Sequence, residues 1–229
     1  MIKKINLNEL YKVNARKDIF IIKNYFSKDH CNYLINFFLD LLNKYKNEER
    51  ISGNNWYSDV NKNESRLKAF YLYDLERLNN KKLTDTFRKM YSTYKLMGYS
   101  TYLDDFEKEI TISEATNYKM INPVVFVYPA DDSNLKWHKH SDEIQKSQLL
   151  LNLTEPNEDY SNGETLFYNN GKPKKEDINT FNNSTICGDN LKKGDILSFP
   201  YTKWHKVHPT HKSGKKNSIN CRMSLILPL

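Results

Sequence analysis

Residues 137–143 read WHKHSDE, two histidines and two acids behind a tryptophan. On a strand, side chains two apart share a face, so His138, His140 and Asp142 can look into one pocket. A second group, His205, His208 and His211, follows far downstream. An H-x-D pair on one strand plus a distant histidine supplies two imidazoles and one carboxylate. That set occupies one side of a metal ion, leaves positions open opposite, and suits Fe(II). The stretch can be read in two registers. His140 with Asp142 gives H-x-D directly and is the expected pair, with His205 as the distal ligand. Starting instead at His138 puts His140 in the carboxylate position and gives three imidazoles. His208 lies an odd number of residues from His205 and would face away, and His211 follows Pro209 in an expected loop.

A second signal is independent of the histidines. Arg222 is the sole arginine after Arg88, in a lysine-rich region, and sits in the strand-like run CRMSLIL. Ser224, two residues on, shares its face. A guanidinium fork beside a hydroxyl makes a carboxylate clamp. A metal triad next to such a clamp meets the needs of 2-oxoglutarate, whose keto-acid end chelates metal and whose far carboxylate needs a cation. Tyr128 is a candidate hydrogen-bonding partner for that cosubstrate. Asp195, in KKGDILSFP, reads as a turn residue before a strand. Glu164 and Thr165 read as structural, and Asn152 as a residue of the pocket.

The elements that must carry these residues fall into two textures. DIFIIKNYF (18–26) reads as a strand. Ser27 then caps a helix in which Cys31, Leu34, Ile35, Phe38, Leu41 and Leu42 recur at helical spacing. A second helix is expected over 83–98, ending at Gly98. Residues 50–65 read as a polar loop, a lid or substrate loop. From 115 onward the chain turns to short, β-rich runs: 124–128, 134–140, 147–153, 163–168, 195–200, 203–208 and 221–229. Their spacing points to an antiparallel sandwich or barrel. Residues 169–193 are polar and Asn-rich and read as an excursion from the core.

Composition bounds the rest. The chain of 229 residues can bury one sizeable core and is expected to be a single domain. Residues 1–115 would be a helical support region with one or more strands, and 116–229 the β core. The 16 tyrosines and 11 phenylalanines offset a low aliphatic content. The net charge of +7 would admit an acidic partner, but the lysines are dispersed, which argues against nucleic acid. Cys31, Cys187 and Cys221 are odd in number, far apart and without a CxxC, so a reducing compartment is expected and a structural zinc site is not. The N-terminus MIKKINLNEL lacks an apolar signal core and no run is long enough to span a membrane, so the expectation is a cytoplasmic protein.

Taken in order, these stretches resemble the Fe(II)/2-oxoglutarate-dependent oxygenases, in the prolyl-4-hydroxylase-like and PKHD-hydroxylase-like branch. DIFIIKNYFSKDHCNYLINFF is similar to the opening strand and helix, and VYPADDSNLKWHKHSDE to the strand bearing H-x-D. LLLNLTEPNEDYSNGETLFY is similar to the acidic turn and Gly-Gly-Glu-Thr-like strand, with Asn162 where the first glycine is usual. LKKGDILSFPYTKWHKVHP is similar to the segment bearing the distal histidine, and CRMSLIL to the closing arginine strand. The interval from His205 to Arg222 is longer than usual in that branch, which leaves Lys215 or Lys216 as alternative partners for the carboxylate.

The resemblance implies a mainly β fold with N-terminal helices around a double-stranded β-helix, a jelly-roll or cupin-like core. It implies Fe(II), 2-oxoglutarate and O2 as cofactor and cosubstrates, with ascorbate as an accessory. It implies hydroxylation of an aliphatic carbon in an amino-acid residue, a free amino acid or a small metabolite, with succinate and CO2 as co-products. The competing readings are demethylation of alkylated nucleic acid by the same chemistry and a non-catalytic cupin-like binding protein.

Overall fold

A computed structural model describes residues 2–48, 50–60, 66–97, 123–141, 146–169, 171–173, 184–186 and 191–228. In chain order the strands and helices are β1 (Ile2–Ile5), β2 (Ile19–Ile22), α1 (Lys28–Tyr45), β3 (Arg50–Ser52), β4 (Asn55–Val60), β5 (Leu67–Tyr71), α2 (Lys81–Leu96), β6 (Val124–Pro129), β7 (Leu135–His138) and β8 (Ser147–Asn152). They continue as β9 (Ser161–Asn162), β10 (Thr165–Tyr168), β11 (Ser184–Ile186), β12 (Ile196–Pro200), β13 (His205–Val207), β14 (Thr210–His211) and β15 (Cys221–Pro228).

Two main sheets are formed among the described residues. The major sheet runs β1-β2-β12-β8-β15-β6-β5-β4-β3, and the minor sheet β11-β10-β13-β7. Every pairing in them is antiparallel except β1 with β2. The expected mainly β architecture with N-terminal helices is therefore present.

Period-two patterning decides what each face of the major sheet does. Leu149 and Leu151 of β8, Val125 and Val127 of β6, and Met223, Leu225 and Leu227 of β15 join one core with α1 and α2. α1 offers Cys31, Leu34, Ile35 and Phe38 at positions i, i+3, i+4 and i+7, all buried. Ser27 starts that helix as expected, its Oγ accepting from His30 N at 3.2 Å, a cap worth about 1 kcal/mol. The other face points inward. Val124, Leu150, Leu197, Phe199 and Ile226 pack there with Phe167 of the minor sheet. The even-numbered residues of β15 include Arg222 and Ser224, so the strand that anchors the helices also delivers the clamp to the interior.

Asp195 is a structural staple. Its carboxylate, fully buried, accepts from Lys23 Nζ and from the backbone N–H groups of Asn24 and Lys192, the latter two at 2.8 Å. It thereby ties the end of β2 to the turn before β12. Gly194, at φ +89°, makes this turn possible: a Cβ there would lie 2.1 Å from the Phe26 carbonyl oxygen.

Three sequence expectations change. Residues 50–60 are not loop but the β3–β4 hairpin, which extends the major sheet through β5. Trp56 stacks on Tyr71 across that pairing, ring centroids 4.0 Å apart, a contact that offsets the polar residues around it. Within the expected excursion at 169–193, Ser184–Ile186 returns to the minor sheet as β11 beside β10. The strand expected over 134–140 ends at His138. Gly98 and residues 61–65 lie outside the described residues.

Candidate active site

β7 and β13 are neighbours in the minor sheet, and their register sets His138 directly opposite His205. Their ring centroids are 4.1 Å apart. The two rings are held in the same way. His138 Nδ1 lies 2.8 Å from the Lys136 carbonyl oxygen, and His205 Nδ1 lies 2.8 Å from that of Lys203. A carbonyl only accepts, so each Nδ1 carries the proton and each Nε2 keeps its lone pair. His140 sits just past the end of β7. Its backbone N–H donates to the Tyr201 carbonyl at 2.9 Å, and its ring packs 4.6 Å from that of Tyr201. One ligand atom from each of His138, His140 and His205 falls within 4.8 Å of the others.

Burial keeps this cluster neutral. It pushes His140 down to about 4, with His138 adding to the effect. It takes His205 well below the usual histidine range, again with His138 adding and the Lys203 carbonyl opposing. His138 is lowered by burial against the pull of the Lys136 carbonyl. Neutral imidazoles with free Nε2 lone pairs are metal ligands ready to bind.

Of the expected ligands, His140 and His205 come together, and His138 joins them. Asp142 lies outside the described residues. His208 is bound up elsewhere: its Nδ1 is 3.5 Å from Glu164 Oε2, and its backbone N–H donates to the Glu164 carbonyl. His211 pairs with Asp132 at 3.0 Å. Neither belongs to the cluster.

The clamp residues lie at inward-facing positions of β15 in the major sheet. Arg222 is only 1% exposed. One Nη donates to Thr165 Oγ1 at 2.8 Å, and its guanidinium lies over Tyr128, 5.2 Å from the ring centroid. Tyr128 is its cross-strand partner on β6. The other Nη, Nη1, is buried with no hydrogen-bond partner among the described residues, and so are Ser224 Oγ and Asn152 Oδ1, on register partners of β15 and β8. Among the described residues no carboxylate pairs with Arg222. A buried, unpaired guanidinium is costly unless an anion completes it. Lys215 is an exposed residue 3.6 Å from Glu158, and Lys216 is exposed, so neither is placed to serve as this cation.

A cavity of about 350 Å³ connects the two parts. His138, His140 and His205 line it, as do Thr165 and Tyr128, which touch Arg222. Its remaining wall is mostly apolar, including Val60, Leu67, Phe126 and Leu135. In sequence Thr165 reads as structural. The structure makes it the residue that seats Arg222, a role invisible in sequence because the partner lies 57 positions away. Tyr201, beside His140, lines the same cavity and carries no motif in the sequence that marks it. Fe(II) and a dicarboxylate keto acid fit what is present: nitrogen donors for the metal, and an orphaned guanidinium and hydroxyl for the far carboxylate.

No family model matches the sequence, and no curated protein matches it. Solved structures do match in shape. A Pseudomonas putida prolyl-4-hydroxylase superposes with a TM-score of 0.61 at 10% identity, over 97% of each chain. A Trichoplax adhaerens prolyl hydroxylase, solved with a hypoxia-inducible-factor peptide, gives 0.58 at 15% identity over 97% of this chain and 86% of that one. The non-haem α-ketoglutarate-dependent epimerase SnoN of nogalamycin biosynthesis gives 0.55 at 12% identity, over 97% and 82%. The chain thus shares the fold of prolyl hydroxylases and 2-oxoglutarate–Fe(II) oxygenases over nearly its whole length.

Proposed function

We propose that the chain is an Fe(II)- and 2-oxoglutarate-dependent dioxygenase that hydroxylates an aliphatic carbon, with succinate and CO2 as co-products. The observation that carries this reading is Arg222, a buried cation with one Nη unpartnered among the described residues, held against Thr165 and Tyr128 of the cavity that three neutral imidazoles line. The bound metal would supply the O2 activation that no side chain can. The chain's own residues do the rest. Arg222, Ser224 and Thr165 bind the far carboxylate of the cosubstrate and set its direction. Tyr128 walls that subsite and shields it from water. The imidazole cluster receives the keto-acid end. The apolar wall fits an uncharged aliphatic group brought by an amino-acid residue, a free amino acid or a small metabolite. No described residue calls for ascorbate.

No helix among the described residues is long and apolar enough to cross a membrane. Cys31 and Cys221 are buried free thiols, which suits a reducing compartment, and the cytoplasm is the proposed location.

The test is an anaerobic titration of metal-free protein with Fe(II) and then 2-oxoglutarate, monitored in the visible for the charge-transfer band of the chelate. A saturable band in wild type that Arg222→Ala weakens at least tenfold in apparent affinity supports the reading. A folded protein that gives no band overturns it and leaves a non-catalytic binding protein.

A further inference from the structure

We propose that three imidazoles, those of His138, His140 and His205, hold the metal, and that no carboxylate is needed to complete the set. The inference deepens the oxygenase reading and rests on it for the identity of the metal. It stands on the geometry of the minor sheet. His138 is the residue the register places opposite His205. It is also the one whose ring is fixed as His205's is, Nδ1 tied to the carbonyl two residues earlier at 2.8 Å. Two strands thus present two matched Nε2 lone pairs across one rung. His140 follows at the same parity, its position set by the bond from its backbone N–H to the Tyr201 carbonyl. Its ring centroid is 5.1 Å from that of His138 and 5.3 Å from that of His205. Among the described residues no carboxylate joins this group.

The consequence is chemical. A two-histidine, one-carboxylate site neutralises one charge of a divalent ion, whereas three neutral imidazoles neutralise none. Nitrogen-only ligation favours softer and more strongly nitrogen-binding divalent ions over Mg²⁺ and Ca²⁺. It also leaves the full charge of the ion to attract the anionic keto acid that fills the open side.

The experiment uses the full chain, metal-free, with Co(II) as the calorimetric probe and Cu(II) for pulsed EPR. Asp142→Ala should bind Co(II) within about threefold of wild type, while His138→Gln and His205→Gln should each weaken it at least ~100-fold, more than loss of an outer partner would. Circular dichroism checks that the variants fold. His140→Asp, which installs a carboxylate, should keep binding. The Cu(II) spectrum should count three remote imidazole nitrogens in wild type and two in His138→Gln. Weak Co(II) binding in Asp142→Ala with near-native binding in His138→Gln overturns the proposal, as does a count of two nitrogens in wild type. If Co(II) binds through three imidazoles but 2-oxoglutarate neither tightens it nor gives a band with Fe(II), the ligand set stands and the oxygenase reading fails.

Discussion

Arg222 donates through one Nη to Thr165 Oγ1 at 2.8 Å and leaves its other Nη buried without a partner among the described residues. Thr165 thus holds the guanidinium in place without neutralising it. On the proposed function, the free protein bears the cost of that charge and an incoming carboxylate would remove it. Added 2-oxoglutarate should therefore raise the melting temperature of wild type, by mass action about 2.7 kcal/mol at a hundredfold excess over Kd. Arg222→Met should abolish the shift while melting, without ligand, at or above the wild-type temperature, because it removes a desolvated charge and fills the space. Differential scanning fluorimetry with and without the keto acid decides it. A variant that loses stability but keeps the ligand-induced shift would place the clamp elsewhere.

Asp195 reads in sequence as a turn residue, and its surroundings make it a fastener as well. Replacing it with alanine strips the acceptor from Asn24 N and Lys192 N and leaves Lys23 to turn to water. The cost should be about 2–4 kcal/mol, mostly from the two stranded backbone donors. Urea unfolding should show a lowered midpoint with an unchanged slope. Under native conditions the affinity of the folded fraction for 2-oxoglutarate should stay within about twofold.

His30 gives the fold a pH dependence apart from the His138–His140–His205 cluster. It stacks on Phe26 with centroids 4.6 Å apart, and its Nε2 is 2.7 Å from Thr86 Oγ1. Burial lowers its pKa first, and Lys82 and Lys89 lower it further against Asp85. A histidine whose folded pKa lies below its unfolded value near 6.5 takes up its proton more readily when unfolded. Its contribution is therefore intact above that value and is lost as pH falls toward the folded pKa. Between pH 7 and pH 5 the melting temperature of His30→Gln should fall less than that of wild type. Parallel curves would show that His30 does not carry this dependence.

Much of the barrel was legible because its strands obey a two-residue period, with Val125, Val127, Leu149 and Leu151 toward the helices and the alternate positions inward. Arg222 stood out because it is a lone arginine with a hydroxyl two residues on. The register of WHKHSDE was not legible, since two overlapping patterns share its period. Only the pairing of β7 with β13, set by side chains far away in sequence, puts His138 across from His205. The β3–β4 hairpin hid for a similar reason. Asn55, Ser58 and Asp59 disfavour strand locally, and the stack of Trp56 on Tyr71 that supports it is a tertiary contact.

Gly194 links the site to the support layer. It accepts the Phe26 N–H through its carbonyl at 3.0 Å and donates to the Asn152 carbonyl at 2.8 Å, so one residue pins the start of α1 to the strand that carries Asn152 into the interior. Its positive φ disfavours any L side chain, and the 2.1 Å approach of a Cβ to the Phe26 carbonyl involves backbone on both sides. Neither partner can turn away, as a flexible side chain could. Gly194→Ala should cost about 2–4 kcal/mol through strain and the bonds lost in relieving it, well beyond an ordinary surface substitution. Because β12 and β8 shift together, the same variant should also weaken binding of 2-oxoglutarate in the surviving folded fraction. Thermal melts paired with keto-acid titration test both parts: a neutral substitution would mean that the turn can repack, and lost stability with native affinity would confine its role to the fold.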